Sequence, residues 1–411
     1  MRYVAPMALI LAAVTATSAA QRAGAFSGSR GHSAIAYNST PADTIITALN
    51  ERIDRGELKL AFDPVRGYLP AVLDALSIAP ESQVLVYSET SFQARRINKT
   101  NPRAIYFDDH VAVGWVRTGE VLEIAAQDPR QGTLFYTVDQ TASQAARFSR
   151  NDGCLSCHLS WETLAVPGPV VLSTMPRRST NDYANGGHVD DRVPLAERWG
   201  GWYVTGARVP RSMGNLDLIQ PKMPEAGPAH VAARESVAGA FDLNGYLTPY
   251  SDVVALMVLE HQAHATNLIT RAGWEYRLAR TEALAGRALT PLVREAVDDL
   301  VDYFLFVDEA PLPAPIKGTS GFAEKFSARG PRDGKGRSLR ELQLQTRMMK
   351  YPLSYMIYSP GFLGLPPEVK TAVYARIDEI LSGRDKKPKY AHLSAADRIA
   401  IAEILAATRE K

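Results

Sequence analysis

The chain of 411 residues has almost no net charge, since 46 basic and 44 acidic side chains leave a formal charge of +2. Surfaces that bind nucleic acid or anchor electrostatically to membranes are typically strongly basic, so the composition argues against both. After the N-terminal segment, no stretch reaches the roughly 18 to 20 apolar residues that a membrane-spanning helix needs. We therefore expect a globular protein with no nucleic-acid partner and no transmembrane span beyond that segment.

Cysteine is also scarce, because Cys154 and Cys157 are the only two in the chain. A disulfide between residues three apart would close too small a loop to stabilise a chain of this size. The pair instead stands in Cys-x-x-Cys-His, the attachment sequence for a c-type haem, which ends at His158. Two thiols at this spacing can reach the vinyl groups on one edge of a porphyrin, and the next histidine can offer a nitrogen to the iron. We predict one covalent haem c at Cys154 and Cys157, with His158 as the proximal iron ligand.

Two other uses of this motif fit less well. A structural zinc site would need four ligands, and the nearest fourth residue is His188, which lies outside the usual finger spacings. A thioredoxin-like dithiol usually follows an apolar strand, whereas residues 141–150 are polar and have no strand pattern. Haem attachment is therefore the interpretation that we favour.

The N-terminus has the layout of a secretory signal peptide. Arg2 precedes an apolar run over residues 4–16, and small residues follow it. We expect residues 1–22 to be a signal peptide and residues 23–40, which are rich in glycine and serine, to be a flexible leader. Covalent attachment of haem c takes place outside the cytoplasm in bacteria, so this segment and the motif support each other. The predicted location is periplasmic or secreted.

The remaining chain indicates an α+β fold. Residues 41–140 contain a helical pattern followed by short β-branched and aromatic runs between turn signals, which predict helix plus an antiparallel sheet of four or five strands. Residues 141–249 form the haem c attachment region, which is rich in proline and glycine. Residues 250–411 follow a helical period, beginning with a helix that Ser251 and Asp252 can cap. We expect a β-rich N-terminal half, the attachment segment and a helical C-terminal half.

One further helix is predicted inside the last region. Ser338 and Glu341 have the form of a capping box, which indicates a helix from Ser338 toward Met349.

The sixth iron ligand would decide whether a haem carries electrons or binds a small molecule. Met223 stands in a loop sequence that resembles the methionine loop of small cytochromes c, and Met213 and Met175 are rivals. His261, on the apolar stripe of the helix that follows Asp252, is the main nitrogen candidate. It could be the sixth ligand, an acid–base residue beside a bound oxidant, or a core histidine satisfied by a hydrogen bond.

Other side chains near the motif could contact the porphyrin. Arg177 could pair with the haem propionates, and Trp199, like Trp161, could wall off the ring. Solvation of the arginine and ordinary core packing of the tryptophans are the alternatives. His188 is expected in an exposed loop, from which it could also reach a propionate.

The signal peptide and the motif together resemble those of bacterial exported c-type cytochromes. The resemblance implies haem c, thioether bonds at both cysteines and His158 as proximal ligand. Residues 102–107 and 198–203 are similar to stretches in large bacterial proteins that carry one such motif. Small cytochromes c hold their haem between helices and carry the motif near the start of the domain, whereas here it lies mid-chain among strands and loops. The resemblance therefore extends to the motif and not to the fold.

Two functions are compatible with these features. The first is electron transfer with a periplasmic redox partner protein, in which the surplus chain shields the haem or docks that partner. The second is a haem c-dependent oxidoreductase of the peroxidase or oxygenase type, with an open distal iron position and a substrate pocket built by the surplus chain. We favour the first because attachment alone supports it. The sequence does not indicate an oligomeric state.

Overall fold

The computed structural model describes residues 30–143, 145–174, 186–207, 234–281 and 289–409. The predicted signal peptide lies outside these ranges, as does the first part of the predicted leader. The α+β prediction is confirmed: an antiparallel sheet occupies the N-terminal half and helices dominate the C-terminal half.

The sheet has seven strands in the order β6-β5-β4-β3-β2-β1-β9. Five of them, from β1 to β5, are neighbours both in the chain and in the sheet, so they form the predicted meander. The strands are β1 (Val84–Val86), β2 (Arg103–Phe107), β3 (Val111–Trp115), β4 (Val121–Asp128), β5 (Gly132–Asp139), β6 (Ser149–Arg150) and β9 (Trp202–Tyr203). The attachment region supplies the two edge strands, and a separate pair contains β7 (Leu172–Ser173) and β8 (Gly187–His188).

Side chains alternate between the two faces of the sheet. One row, formed by Tyr106, Val113, Ile124 and Tyr136, is buried in a core that also contains the N-terminal helices α1 (Ile45–Asp54) and α2 (Leu69–Leu76). The neighbouring row on the other face runs from Phe107 through Ala112 and Ala125 to Phe135. The opposite face of the sheet is therefore left to contact the motif and the helical half.

The helical half is built around α4 (Val253–Thr281), a helix of 29 residues. Most of its length is buried, including polar side chains such as Glu260, His261 and Asn267. The remaining helices are α3 (Leu155–His158), α5 (Pro291–Phe304), α6 (Phe322–Ala328), α7 (Pro360–Leu363), α8 (Pro367–Leu381) and α9 (Ala395–Thr408). Across the described ranges, no helix combines the length and the apolar character needed to cross a membrane.

The predicted helix from Ser338 toward Met349 is wrong. The Ser338 backbone N–H does donate to Glu341 Oε1 at 2.9 Å, as in a capping box. The chain then turns back, so that Leu342 pairs with Met349, and Gln343 Oε1 accepts the backbone N–H of Thr346 at 2.9 Å. A side chain that bonds nearby backbone amides competes with helix formation, and here it stabilises a turn.

The start of α4 depends on Asp252, whose side chain is fully buried. Its Oδ1 accepts the backbone N–H groups of Val254 at 2.8 Å and Ala255 at 3.2 Å. Its Oδ2 accepts those of Thr319 at 2.7 Å and Ser320 at 2.8 Å. One carboxylate therefore caps the helix and holds a distant loop against it.

We predict that Asp252→Ala lowers the free energy of unfolding by about 3 kcal/mol, because buried amides lose a charged acceptor. Urea denaturation followed by circular dichroism measures the change. Asp378→Ala on the exposed side of α8 is the control, and we expect it to stay within about 0.5 kcal/mol of the parent. Equal midpoints for the two variants would contradict the role of Asp252.

Candidate functional site

The motif lies on a single turn of 3₁₀ helix, Asp152–Cys154, that continues into α3. Asn151 starts this segment, since its Oδ1 accepts the backbone N–H of Gly153 at 3.0 Å. Cys154 is half-buried, Cys157 is exposed, and both thiols are free. Both sulfurs are thus in a position that a ligand can approach.

The thiols lack the character of a redox dithiol. Burial, the largest cause, raises the pKa of the Cys154 thiol to about 11, and the Glu123 carboxylate adds to this shift. Thioredoxin-like pairs depend on a cysteine with a lowered pKa. The electrostatic setting of Cys154 therefore argues against thiol–disulfide exchange.

His158 is held by a ring contact and a hydrogen bond. Its ring lies 4.7 Å from that of Phe135 on β5, between centroids, and Nδ1 is 2.9 Å from the carbonyl oxygen of Gly168. A carbonyl can only accept, so Nδ1 carries the proton and Nε2 holds the lone pair. Burial also lowers the pKa of His158, which favours the neutral ring. A histidine fixed in this way is prepared to bind a metal through Nε2.

The loop that carries Gly168 is fixed on both sides. The backbone N–H of Gly168 donates to the carbonyl of His158 at 3.0 Å, so the two residues are joined twice. On the other side, Asn267 of α4 donates through Nδ2 to the carbonyl of Pro169 at 2.9 Å. A Cβ at position 168 would overlap the Asn267 amide. The orientation of His158 therefore depends on the close contact between this loop and α4.

An ion pair lies on the same face of the sheet. Arg103 on β2 and Glu123 on β4 are 2.7 Å apart, with side chains 19% and 16% exposed. The charges act on the motif in opposite senses, since Arg103 lowers and Glu123 raises the pKa of His158, both less than burial does.

Trp161, three residues after the motif, is 61% exposed.

Trp199 and the motif belong to different hydrophobic cores. Trp199 is fully buried in the core that contains α4, whereas Leu155 and Cys154 belong to the core of the N-terminal half. Its indole lies by the Glu260 carboxylate instead. Met223 and Arg177 lie outside the described residues, as do Met175 and Met213.

His261 is also remote from the motif in its contacts. Its ring is fully buried and stacks on Tyr303 and on Phe306, with centroids 5.0 and 4.7 Å away. Its Nε2 is 2.7 Å from Ser354 Oγ, and its Nδ1 is 3.6 Å from Asp191 Oδ1. This environment is that of a core histidine rather than an iron ligand.

Ser354, His261 and Asp191 lie next to one another in the same order as the serine, histidine and aspartate of a hydrolase triad. Ser354 and His261 are fully buried, and Asp191 is 3% exposed. Ser354 Oγ also accepts the backbone N–H of Met356 at 3.2 Å and so caps a short 3₁₀ helix. Because no substrate can approach this hydroxyl, we interpret the three residues as part of the buried core rather than as a catalytic triad.

A second cluster was not anticipated. His188, expected to be exposed, lies with Asp190 and His264 in a largely buried group. His188 and Asp190 are close in the chain, whereas His264 lies on α4. No local sequence pattern predicts that two such distant segments meet. We call these three residues the His–Asp–His cluster.

Among known proteins the chain has no detected relative: no family model matches it, and no curated protein or solved structure is significantly similar.

We predict that Gly168→Ala lowers the free energy of unfolding by about 1 to 3 kcal/mol, because the added methyl overlaps the Asn267 amide. Urea denaturation measures it, with Gly187→Ala as control, since nothing lies within 4 Å of a Cβ there. In a double-mutant cycle, Asn267→Ala should make the Gly168→Ala penalty smaller, because it removes the clashing group. Strict additivity, or equal effects of the two glycine variants, would show that the contact is loose.

Proposed function

We propose that the protein is an exported, single-haem c-type cytochrome that binds haem through Cys154 and Cys157 and transfers electrons to or from a periplasmic redox partner. The observation that carries the proposal is the 2.9 Å hydrogen bond from His158 Nδ1 to the Gly168 carbonyl. This bond leaves the lone pair on Nε2 of His158, the residue that directly follows the second of two free cysteines.

The motif residues fit a covalently attached haem. Each thiol would add across one vinyl group, forming one carbon–sulfur bond while its proton goes to the other vinyl carbon, so no oxidant is consumed. Bound haem would supply a one-electron iron couple. Cys157 is exposed and Cys154 is half-buried, which is compatible with this addition.

The surrounding residues act through His158. The Nδ1–H bond to Gly168 fixes the ring orientation and raises the basicity of Nε2, which strengthens an iron ligand. Phe135 restricts rotation of the same ring. Arg103 and Glu123 offset each other, so the charge close to the motif is nearly balanced.

Export is part of the proposal, because the N-terminal segment has the layout of a signal peptide and haem c is attached outside the cytoplasm. Electron transfer is favoured over oxidoreductase chemistry because it requires only attachment. The enclosed ring of His261 does not suggest a distal catalytic residue.

We predict that the full chain, expressed with a periplasmic haem-maturation system, retains one haem after acid extraction and denaturing electrophoresis. Replacing both Cys154 and Cys157 by alanine should abolish the retained haem, because no other cysteine exists. Ser156→Ala, between the two cysteines, is the matched control and should retain it. Haem lost equally from the parent and the double variant would refute covalent attachment.

The oxidised and reduced absorption spectra distinguish the two functions. An electron carrier should be low-spin and should bind carbon monoxide slowly when reduced, because a side chain occupies the sixth position. Met223→Ala should then convert the iron to high spin. His261→Gln should leave the spectrum unchanged, since that ring contacts Tyr303 and Phe306. A high-spin parent that binds carbon monoxide readily would favour the oxidoreductase instead.

A further inference from the structure

The ligand atoms of the His–Asp–His cluster lie within 4.8 Å of one another. Asp190 Oδ2 is 3.8 Å from His188 Nε2 and also 3.8 Å from His264 Nε2. Two imidazole nitrogens thus face the same carboxylate oxygen. The rings themselves are 4.9 Å apart between centroids, so they converge on one small volume.

These distances suit ligands around an ion better than direct hydrogen bonds. A hydrogen bond between nitrogen and oxygen requires about 2.7 to 3.2 Å. Ligands that each lie about 2.0 to 2.1 Å from a tetrahedral ion are separated from one another by about 3.4 Å. Both distances from Asp190 Oδ2 to the histidine nitrogens are close to that separation.

The donors are largely buried, and several of the ring nitrogens have no hydrogen-bond partner. The side chains of His188, Asp190 and His264 are 23%, 9% and 10% exposed. Among the described residues, three ring nitrogens of the cluster have no hydrogen-bond partner: Nδ1 and Nε2 of His188, and Nδ1 of His264. Of these nitrogens, His188 Nε2 faces the Asp190 carboxylate. Leaving a buried polar atom unpaired costs free energy, so this nitrogen indicates a missing partner.

The backbone directs each donor toward the cluster. Asp190 Oδ1 accepts the backbone N–H of Arg192 at 2.9 Å, which turns Oδ2 toward the histidines. His188 is held on β8 by pairing with Leu172, and His264 is held on α4 against the ring of Tyr303 at 4.7 Å. The site is therefore built on ordered elements.

Charge also favours a cation. Asp191 adds a second buried carboxylate beside the cluster, while the guanidinium of Arg192 lies over Tyr303 and donates to the Val307 carbonyl.

We propose that His188, Asp190 and His264 bind a divalent first-row transition-metal ion, of the zinc or iron(II) class, with at least one coordination position left for water or another ligand. Two imidazoles and one carboxylate are a donor set of catalytic zinc and non-haem iron sites. Calcium and magnesium are disfavoured because they take mainly oxygen ligands. This site is independent of the haem proposal.

The test uses the full chain carrying Cys154→Ser and Cys157→Ser, because free thiols would bind the same ions. After dialysis against Zn²⁺ alone and removal of excess, elemental analysis should find about one ion per chain, and calorimetry should give the affinity. Co²⁺ in its place should produce visible d–d absorption bands that report nitrogen and oxygen ligands, and Ca²⁺ should not compete.

Ligand variants locate the ion. His188→Gln and Asp190→Asn should each weaken Zn²⁺ binding at least about a hundredfold. Glu197→Gln, an exposed carboxylate in the same segment, is the matched control and should bind like the parent. Neither ring nitrogen of His188 has a hydrogen-bond partner among the described residues, so its variant should fold normally without metal, as circular dichroism would show. Absence of Zn²⁺ binding in the cysteine-free parent, or unchanged binding in both ligand variants, would overturn the proposal.

Discussion

The burial of α4 on nearly all sides is the constraint on which the rest of the structure depends. A helix buried in this way cannot turn its polar residues to water, so each of them needs a partner from elsewhere. The partners come from loops and helices far along the chain. Glu260 pairs with Arg198, His261 with Ser354, Gln262 with the Asp108 carbonyl and the Tyr355 hydroxyl, and Asn267 with the Pro169 carbonyl.

This helix connects the two candidate sites. His264 belongs to the His–Asp–His cluster, and Asn267, one turn further along, holds the loop whose carbonyl orients His158. Glu260, one turn before His264, forms a buried ion pair with Arg198 in which the carboxylate and the guanidinium are 3.0 Å apart. Burial raises the pKa of Glu260 to about 7. The motif and the cluster therefore share a rigid support, although their proposed chemistries are separate.

The extent to which the sequence predicts this architecture follows from how local each signal is. The meander was predictable because runs of β-branched and aromatic residues are separated by turn signals. The edge strand β6 has only two residues and lies in a segment with no strand pattern. The helical period around His261 identified α4, but a period cannot reveal that both sides of a helix are covered. The bonds of Ser338 with Glu341 formed without a helix, because Gln343 stabilised a turn.

The candidate sites show the same division. Cys154, Cys157 and His158 are recognisable because the chemistry requires them side by side, while the Gly168 carbonyl, which decides which nitrogen of His158 is free, carries no side-chain signal at all. If the chain binds haem as proposed, the same dependence explains why it is much longer than haem attachment needs. The C-terminal half supplies Ser354, Tyr355 and the aromatic rings that enclose His261, so it satisfies and covers α4. Without that cover, Asn267 would not be held where it positions the loop beside His158.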